Sequence, residues 1–343
     1  MSNPYHLQPD RAFWARAVAR PQTVDPVSEP RFVIHRDQKV ASAGSCFAQH
    51  IGRSIASQGF QYLVTEPGPA ERQFGVYPAR FGNLYTARQL LQLFKRAYGL
   101  FEPHDQSWKL NGRYVDPFRP QVEPMGFANI EDLLADQSRH LDAVRQMFEA
   151  MDILIFTLGL TEGWVSKIDG AVFPLAPGVS GEPDDPSGYE PHHFTVAEVY
   201  DDLVEVIARL RVLRPALKVL LTVSPVPLIA TISDRHVLTA TSYSKSVLRV
   251  AAEQVANAVD GVDYFPSYEV ITGQHNGHRH LAEDLRSVRP EGVAEVMSIF
   301  SRHYLSNSLA PIVRETAPRQ TTTYADELAA ISEVICDEEA ITR

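Results

Sequence analysis

The stretch "KVASAGSCFAQHIGRSIASQGF", residues 39–60, combines a strand signal with a helix signal. Its first six residues predict a short strand, and the remainder places Phe47, Ile51 and Ile55 four apart, an apolar stripe at helical spacing. Gly44 lies between the two, where it permits a tight turn or a positive φ. The stretch therefore predicts a strand, a tight turn and a helix.

The rest of the chain extends this pattern. Strands "DILIFTLG", "LKVLLTVSPV" and "VDYFPSYEVI" alternate with amphipathic helices that begin near residues 130, 195, 242 and 290. A further helix begins at Thr86, Asn111-Gly112 predicts a hairpin, and residues 171–191 form a Pro/Gly-rich loop. Continuous apolar strands between amphipathic helices predict a doubly wound α/β fold, a parallel sheet with helices on both faces.

The pattern divides the chain into three parts. Residues 1–37 carry several prolines and little periodicity, so they predict an N-terminal arm without a catalytic role. Residues 38–310 form the α/β domain. Residues 311–343, a polar "RQTTTYADE" stretch followed by a weak acidic helix, form a C-terminal tail.

Composition excludes several classes of function. The net charge of -10 and the pI near 5.6 give no attraction to nucleic acid or to anionic membranes. The longest apolar runs fall short of the roughly 20 residues that span a bilayer, and the N-terminus lacks a hydrophobic signal core. The two cysteines, Cys46 and Cys336, are too few for a disulfide framework. We expect a cytoplasmic protein without a membrane span or a nucleic-acid partner.

Four segments follow the predicted strands directly: 44–46, 159–162, 224–227 and 268–290. In an open parallel sheet, ligands bind at the carboxyl ends of the strands. We therefore expect the functional residues in these segments.

Cys46 is the first candidate. At a strand-to-helix turn the helix N-terminus favours a thiolate, and neighbouring N–H groups can bind an oxyanion. The alternative is that Cys46 is a small buried apolar residue and that Ser45 caps the helix. The local sequence leaves both interpretations open.

Several segments resemble a known family. "GSCFA" at residues 44–48 matches the motif that names the GSCFA family, and "TLGLTEGW", "TVSPVP", "YSKSVLR" and "YFPSYEVI" look like its recurring segments. The likeness covers roughly residues 38–305. The chain is also similar to the SGNH/GDSL hydrolase superfamily, whose members are esterases and carbohydrate O-acyltransferases on a flavodoxin-like sheet. The resemblance implies an esterase or O-acyltransferase acting on an acylated carbohydrate or a small acyl ester.

The resemblance assigns the nucleophile. The superfamily's first block, Gly-Asp-Ser, lies over Gly44, Ser45 and Cys46, which implies a thiol nucleophile at Cys46 with Ser45 as the competing residue. The second block implies an oxyanion donor at Gly82 and Asn83, which otherwise form an ordinary Gly-Asn turn.

The third block, Gly-x-Asn-Asp or similar, is matched in position by residues 159–162. Gly159, Thr161 and Glu162 are therefore candidates for oxyanion and substrate binding, with Thr161 where a side-chain amide would donate. Trp164 follows directly and either stacks on a sugar or adenine face or closes the core.

The last block departs from the pattern. An Asp-x-x-His run is expected, and the chain has Asp284 but no histidine at that spacing. Asp284 then either orients a base from elsewhere or caps the following helix. Arg286 is a candidate for binding an anionic donor or substrate, or for an ion-paired loop.

Another histidine has to supply the base. His236, which follows the strand "LKVLLTVSPV" by a short loop, is the first candidate. The second is His280 together with His278, whose loop leads into Asp284, and the pair at 192–193 comes third. Each has an alternative role as a solvated loop residue. Although His275, His278 and His280 resemble a metal cluster by composition, they lack cysteine partners, and we expect no metal.

The sequence thus predicts an enzyme in which Cys46 accepts an acyl group as a thioester. No cofactor is expected, although an acyl thioester is a candidate donor and a carbohydrate or small molecule the substrate. The alternative is a catalytically inactive ligand-binding or scaffold protein of the same fold, which the missing Asp-x-x-His run favours.

Overall fold

The structure is a computed structural model that describes residues 3–306, 334 and 336–342. Its strands are β1 (Lys39–Gly44), β2 (Gln61–Tyr62), β3 (Trp108–Leu110), β4 (Arg113–Val115), β5 (Ile153–Leu158), β6 (Glu162–Ser166), β7 (Val172–Phe173), β8 (Tyr189–His193), β9 (Lys218–Val223) and β10 (Val262–Phe265). Its α-helices are α1 (Trp14–Ala17), α2 (Ala48–Ser57), α3 (Ala87–Ala97), α4 (Ile130–Ala150), α5 (Val196–Leu213), α6 (Val237–Ala258), α7 (Ser267–Thr272) and α8 (Pro290–Tyr304).

Five parallel strands form the central sheet in the order β2-β1-β5-β9-β10. Counted along the chain, this is the order 2-1-3-4-5 of flavodoxin-like sheets, in which the strand order reverses between the first and third strands. The predicted α/β, doubly wound fold is confirmed.

The central sheet has a hydrophobic core on each face, because successive side chains along a strand point to opposite faces of a sheet. Ala41 and Ala43 of β1 face one core, which α3, α4, α5 and α6 cover. Val40 of β1, with Ile153 and Ile155 of β5, faces the other, which α2, α7 and α8 cover. Helices therefore shield both faces and leave the carboxyl edge of the sheet as the place for a site.

Gly44 makes the turn from β1 into α2. It pairs with Thr157 of β5 at a φ of 135°, and a Cβ built there would lie 2.3 Å from the Thr157 carbonyl oxygen. The next amide, of Ser45, donates to the same carbonyl at 3.1 Å. Only glycine fits this position, and it directs the following residues over the sheet edge.

A buried ionic network holds the loop that carries Gly82 and Asn83. The Arg80 guanidinium lies 3.3 Å from the Asp136 carboxylate on α4, and the Arg80 amide donates to Glu66 at 2.7 Å. Arg119 bonds Asp136 at 2.8 Å. Because these charges are buried, removing one partner would leave another unpaired at high cost, so the loop is rigidly placed.

Two regions differ from the predictions. "PSYEVI" was expected to continue a strand, but β10 ends at Phe265 and Ser267–Thr272 forms α7, because Pro266 lacks the N–H that a strand ladder requires. The Pro/Gly-rich loop contains β7 and the start of β8, which pair with β6 in an antiparallel sheet. β7 is only two residues long, and β8 contains a proline and two histidines, so neither gave a strand signal. The predicted hairpin is present as β3 and β4.

The N-terminal arm pairs with the chain at the end of α8, and this contact is called the clasp. Ile34 forms a parallel bridge with Leu305, in which the Ile34 amide donates to Tyr304 at 2.7 Å and the Ser306 amide donates to Ile34 at 2.9 Å. Asp263 accepts from the Arg31 amide and the Tyr304 hydroxyl.

Most of the predicted tail lies outside the described residues. Within the described ranges, no helix has the length and apolarity needed to cross a membrane.

We predict that Gly44→Ala lowers the free energy of unfolding by at least about 3 kcal/mol, because the new Cβ meets backbone atoms and the φ is strained. Gly170→Ala is the matched control: its φ is 72° and nothing lies within 4 Å of the added Cβ, so the cost is about 1 to 2 kcal/mol. Urea unfolding of both variants measures the difference, and equal costs would contradict the steric role of Gly44.

Candidate active site

Cys46 lies at the carboxyl edge of the sheet, at the reversal of strand order between β1 and β5. It is in the first turn that leads into α2, where the Ser45 and Cys46 carbonyls accept from residues 48 and 49 at 2.9 and 3.1 Å. First-turn amides have no acceptor within their helix. The thiol is therefore next to the positive end of α2, although only 2% of the residue is exposed.

An inner pocket surrounds Cys46. It is formed by the ends of three strands together with a residue from the far C-terminus, and its lining is Ser45, Cys46, Tyr85, Gly159, Leu160, Ser224, Val226, Pro227, Leu228 and Glu338. Three of the four strand-end segments named from the sequence thus converge here. The fourth reaches the pocket through Arg286, whose guanidinium lies 2.9 Å from the Glu338 carboxylate.

An outer cleft adjoins the inner pocket and shares Leu160, Leu228 and Glu338 with it. Its cavity volume is about 160 Å³, and its walls include Trp164 and Ile341. Apolar walls with a few polar groups are typical of small-molecule sites. The cleft is the natural route to Cys46.

Glu162 borders the outer cleft. Its carboxylate accepts from the Thr231 hydroxyl at 2.6 Å and the Ile232 amide at 3.3 Å. The Nδ1 atom of His193 lies 3.7 Å from it. The structure therefore brings one of the third-choice histidines to the cleft rim.

Lys245 is a buried cation beside Cys46. It lies on α6, is 2% exposed, and donates through Nζ to the Gly159 carbonyl at 2.6 Å. Burial lowers the pKa of Lys245 to about 8, opposed by the charges of Glu338 and Cys46. A lysine with such a pKa can take up and release a proton near neutral pH.

Two hydroxyls in the inner pocket are unsatisfied. The Ser45 Oγ and Tyr85 Oη atoms are buried and have no hydrogen-bond partner among the described residues. Burial raises the pKa of Tyr85 well above its ordinary value, so the hydroxyl stays protonated and can donate. Unpartnered buried donors are costly, and they mark a place where a ligand oxygen would be stabilised.

The backbone amides of the loop after β5 are hydrogen-bonded to other groups of the protein. The Gly159 and Leu160 amides both donate to the Tyr85 carbonyl, at 2.9 and 3.2 Å, and the Thr161 amide donates to Ser244 Oγ at 2.9 Å. These amides are therefore occupied, and oxyanion donors would come from other groups, among them the Thr161 hydroxyl, which is buried and has no hydrogen-bond partner among the described residues.

Asn83 is one such group. Its Oδ1 atom accepts from the Tyr77 hydroxyl at 2.7 Å, which orients the amide nitrogen the other way. The Asn83 backbone and side chain both donate to the carboxylate of Asp337. A carboxylate thus occupies the donors that the resemblance assigned to an oxyanion.

The structure places the candidate bases away from the inner pocket. His236 is the exposed N-cap of α6, where Nδ1 accepts from the Leu238 amide. It precedes Lys245 by nine residues, about 13 Å along a helix. His280 is buried on the other face of the sheet, with Nε2 3.3 Å from Glu295.

Asp284 shapes the loop that carries Arg286. Its carboxylate accepts from the Arg286 amide and from the amide and hydroxyl of Ser287, the residue at the expected histidine position. Asp284 is exposed, and it fixes the turn from which Arg286 reaches Glu338. For His275, His278 and His280, the described part of the chain contains no cluster able to hold a metal ion.

Sequence reasoning missed two contributors to the site. Lys245 was not among the site residues predicted from the sequence, yet it falls in the buried stripe of α6 with Ser244, Val247 and Leu248. A lysine in an apolar stripe is a signal that could have been used. Residues 336–342 were treated as an appendage, and no periodicity in the sequence indicates where they dock.

Comparison with known proteins gives one result. A profile of the GSCFA family matches residues 39–300. No curated protein matches the chain. The match covers the central sheet, Cys46, Lys245 and Arg286, and it ends before residues 336–342.

We predict that iodoacetamide alkylates Cys46 before Cys336 between about pH 6 and pH 8. The hydrogen bond with Cys46 and burial raise the pKa of the Cys336 thiol, so little reactive thiolate forms there. Mass spectrometry of peptides gives both rates, with Cys46→Ala and Cys336→Ala as controls. Faster labelling of Cys336 would count against Cys46 as the reactive thiol.

Proposed function

Because the chain belongs to the GSCFA family, we propose that it is a hydrolase-like enzyme, an esterase or O-acyltransferase that carries the acyl group on Cys46. The proposed substrate is an acylated carbohydrate or a small acyl ester, and the proposed location is the cytoplasm. The substrate class rests on similarity to the SGNH/GDSL superfamily, an argument by analogy.

One observation carries the proposal. Cys46 in the first turn of a helix at the reversal of strand order is accompanied by a buried lysine with a pKa of about 8. A nucleophile needs a nearby base that is partly deprotonated at working pH, and Lys245 meets that requirement.

The proposed reaction has two steps. Neutral Lys245 takes the proton of the Cys46 thiol, and the sulfur attacks the ester carbonyl carbon. The Asn83 amides and the Tyr85 hydroxyl stabilise the tetrahedral oxyanion. The C–O bond breaks, and the leaving alkoxide takes the proton from Lys245, which leaves a thioester on Cys46.

In the second step, water or a sugar hydroxyl attacks the thioester while Lys245 takes its proton. The carbon–sulfur bond breaks, and the proton returns to Cys46. The outer cleft holds the rest of the substrate, with Trp164 offering a flat face to a sugar ring. Glu338 and the segment that carries it must leave the inner pocket for the substrate to enter.

A ligand-binding protein without catalysis is the second candidate. The low exposure of Cys46 and the position of the candidate histidines favour it. Intact-mass spectra after incubation with p-nitrophenyl acetate and short acyl thioesters separate the two functions, because only an enzyme gains an acyl group on Cys46 and then loses it.

We predict that Cys46→Ala abolishes release of p-nitrophenol from p-nitrophenyl acetate, while Ser45→Ala retains most of it. The thiol forms the covalent bond, whereas Ser45 Oγ supplies at most one hydrogen bond to the oxyanion. Stopped-flow absorbance measures the burst. Loss in Ser45→Ala with retention in Cys46→Ala would make Ser45 the nucleophile.

We predict that Lys245→Met slows acylation by about 10²- to 10⁴-fold, while Lys109→Met, which removes an exposed lysine, has no effect. Because the base must be neutral, acylation should rise with pH and level off above about 8, the pKa of Lys245. Stopped-flow measurement of acylation across pH gives both results.

His236→Gln and His280→Gln test the two histidines of the sequence-based hypothesis in the same assay. A slow histidine variant beside a normal Lys245→Met would return the base to that histidine. Thermal unfolding of each variant excludes loss of fold as the cause.

A further inference from the structure

Residues 336–342, here called the C-terminal segment, lie in the candidate active site. They include a short 3₁₀-helix, Asp337–Thr342. Glu338 lines both the inner pocket and the outer cleft, and Ile341 lines the outer cleft. Asp337 and Glu338 are only 5% and 7% exposed. The segment therefore occupies the route by which a substrate would reach Cys46.

The contacts of three consecutive side chains, from Cys336 to Glu338, determine how the segment is positioned in the site. The Cys336 thiol is hydrogen-bonded to Cys46. The Asp337 carboxylate accepts from the backbone and side chain of Asn83. The Glu338 carboxylate accepts from Arg286 at 2.9 Å.

These contacts are specific because the acidic side chains would otherwise be costly to bury. A carboxylate leaves water only when hydrogen-bond donors or opposite charges replace it. Asn83 supplies amide donors to Asp337, while Arg286 and the nearby Lys245 supply positive charge to Glu338. The segment binds as an intrachain ligand. Its two carboxylates, of Asp337 and Glu338, are called the anchors, and their contacts keep the Cys336 thiol next to the Cys46 thiol.

We propose that Cys46 and Cys336 are a redox pair: a peroxide converts them into a disulfide that locks the C-terminal segment in the site and blocks Cys46. The two residues are the only cysteines of the chain, so the pairing is unambiguous. The lock goes beyond the proposed function, because its formation requires no ester turnover.

The oxidation balances in two steps. The Cys46 thiolate attacks one oxygen of hydrogen peroxide, the O–O bond breaks, and hydroxide leaves as water after taking the proton that Cys46 had released. The sulfenic acid on Cys46 is then attacked by the Cys336 sulfur. The S–S bond forms, the S–O bond breaks, and hydroxide leaves with the Cys336 proton as a second water. A dithiol reverses the change by thiol–disulfide exchange.

The test treats the full chain with hydrogen peroxide and measures intact mass under denaturing, non-reducing conditions. We expect a monomer lighter by about 2 Da, a peptide that links Cys46 to Cys336, and recovery of both thiols with dithiothreitol. In Cys336→Ser the disulfide cannot form, so Cys46 should instead gain about 32 Da as the sulfinic acid.

The anchors provide a second measurement. Glu338→Ala removes the bond to Arg286 and should slow disulfide formation about tenfold, the effect of losing one charge-assisted hydrogen bond. The matched control is Glu131→Ala, which removes an exposed carboxylate on α4 and should leave the rate unchanged.

Three outcomes would overturn the proposal: a disulfide between two molecules, oxidation of Cys46 in the parent chain without linkage to Cys336, or an unchanged rate in Glu338→Ala. The mass readout is independent of catalysis. If the internal disulfide forms while p-nitrophenyl acetate never acylates Cys46, the lock stands and the proposed esterase function fails.

Discussion

The close approach of Gly44 to the Thr157 carbonyl determines the geometry of the site. With no side chain between them, β1 stays paired with β5 up to Gly44, the last residue of β1, and the chain can turn at once into α2. Gly159, the residue after β5, also packs closely against this turn, since a Cβ there would lie 3.1 Å from the Ser45 side chain. The reversal of strand order thus becomes a narrow pocket with a thiol at its base.

Electrostatics explain why this pocket is closed by the chain's own carboxylates. Lys245 is buried with its Nζ on the Gly159 carbonyl, and the turn at Asp284 carries Arg286, a second positive charge that acts on Lys245. Burial raises the pKa of Glu338, and the charges of Arg286 and Lys245 oppose that rise, so the two cations favour the charged form of this side chain. The same arrangement would receive an anionic group of a substrate once the segment leaves. A substrate and the C-terminal segment would therefore compete for the same two positive charges, those of Lys245 and Arg286.

Much of the fold could be predicted because its strands and helices carry strong periodicity: β1, β5 and β9 lie within the expected strands, and α3 begins one residue after Thr86, its predicted start. The position of Cys46 followed from the rule that sites lie at strand ends. Lys245 was signalled only by its place in the buried stripe of α6. Glu338 could not be assigned, because its contact with Arg286 joins residues distant in the chain, which local patterns cannot report. The antiparallel strands around Trp164 were missed because they are short and β8 has little apolar character.

The clasp between Ile34 and Leu305 has a mechanical consequence. The two segments run parallel, so tension applied between the N-terminal arm and the chain directly after α8 would load the two backbone hydrogen bonds of the bridge in shear. Both bonds, and the contacts of Arg31 and Tyr304 to Asp263 on the edge strand β10, would have to fail before the load reached β1. Tension on the arm is thereby kept from the strand that leads to Cys46.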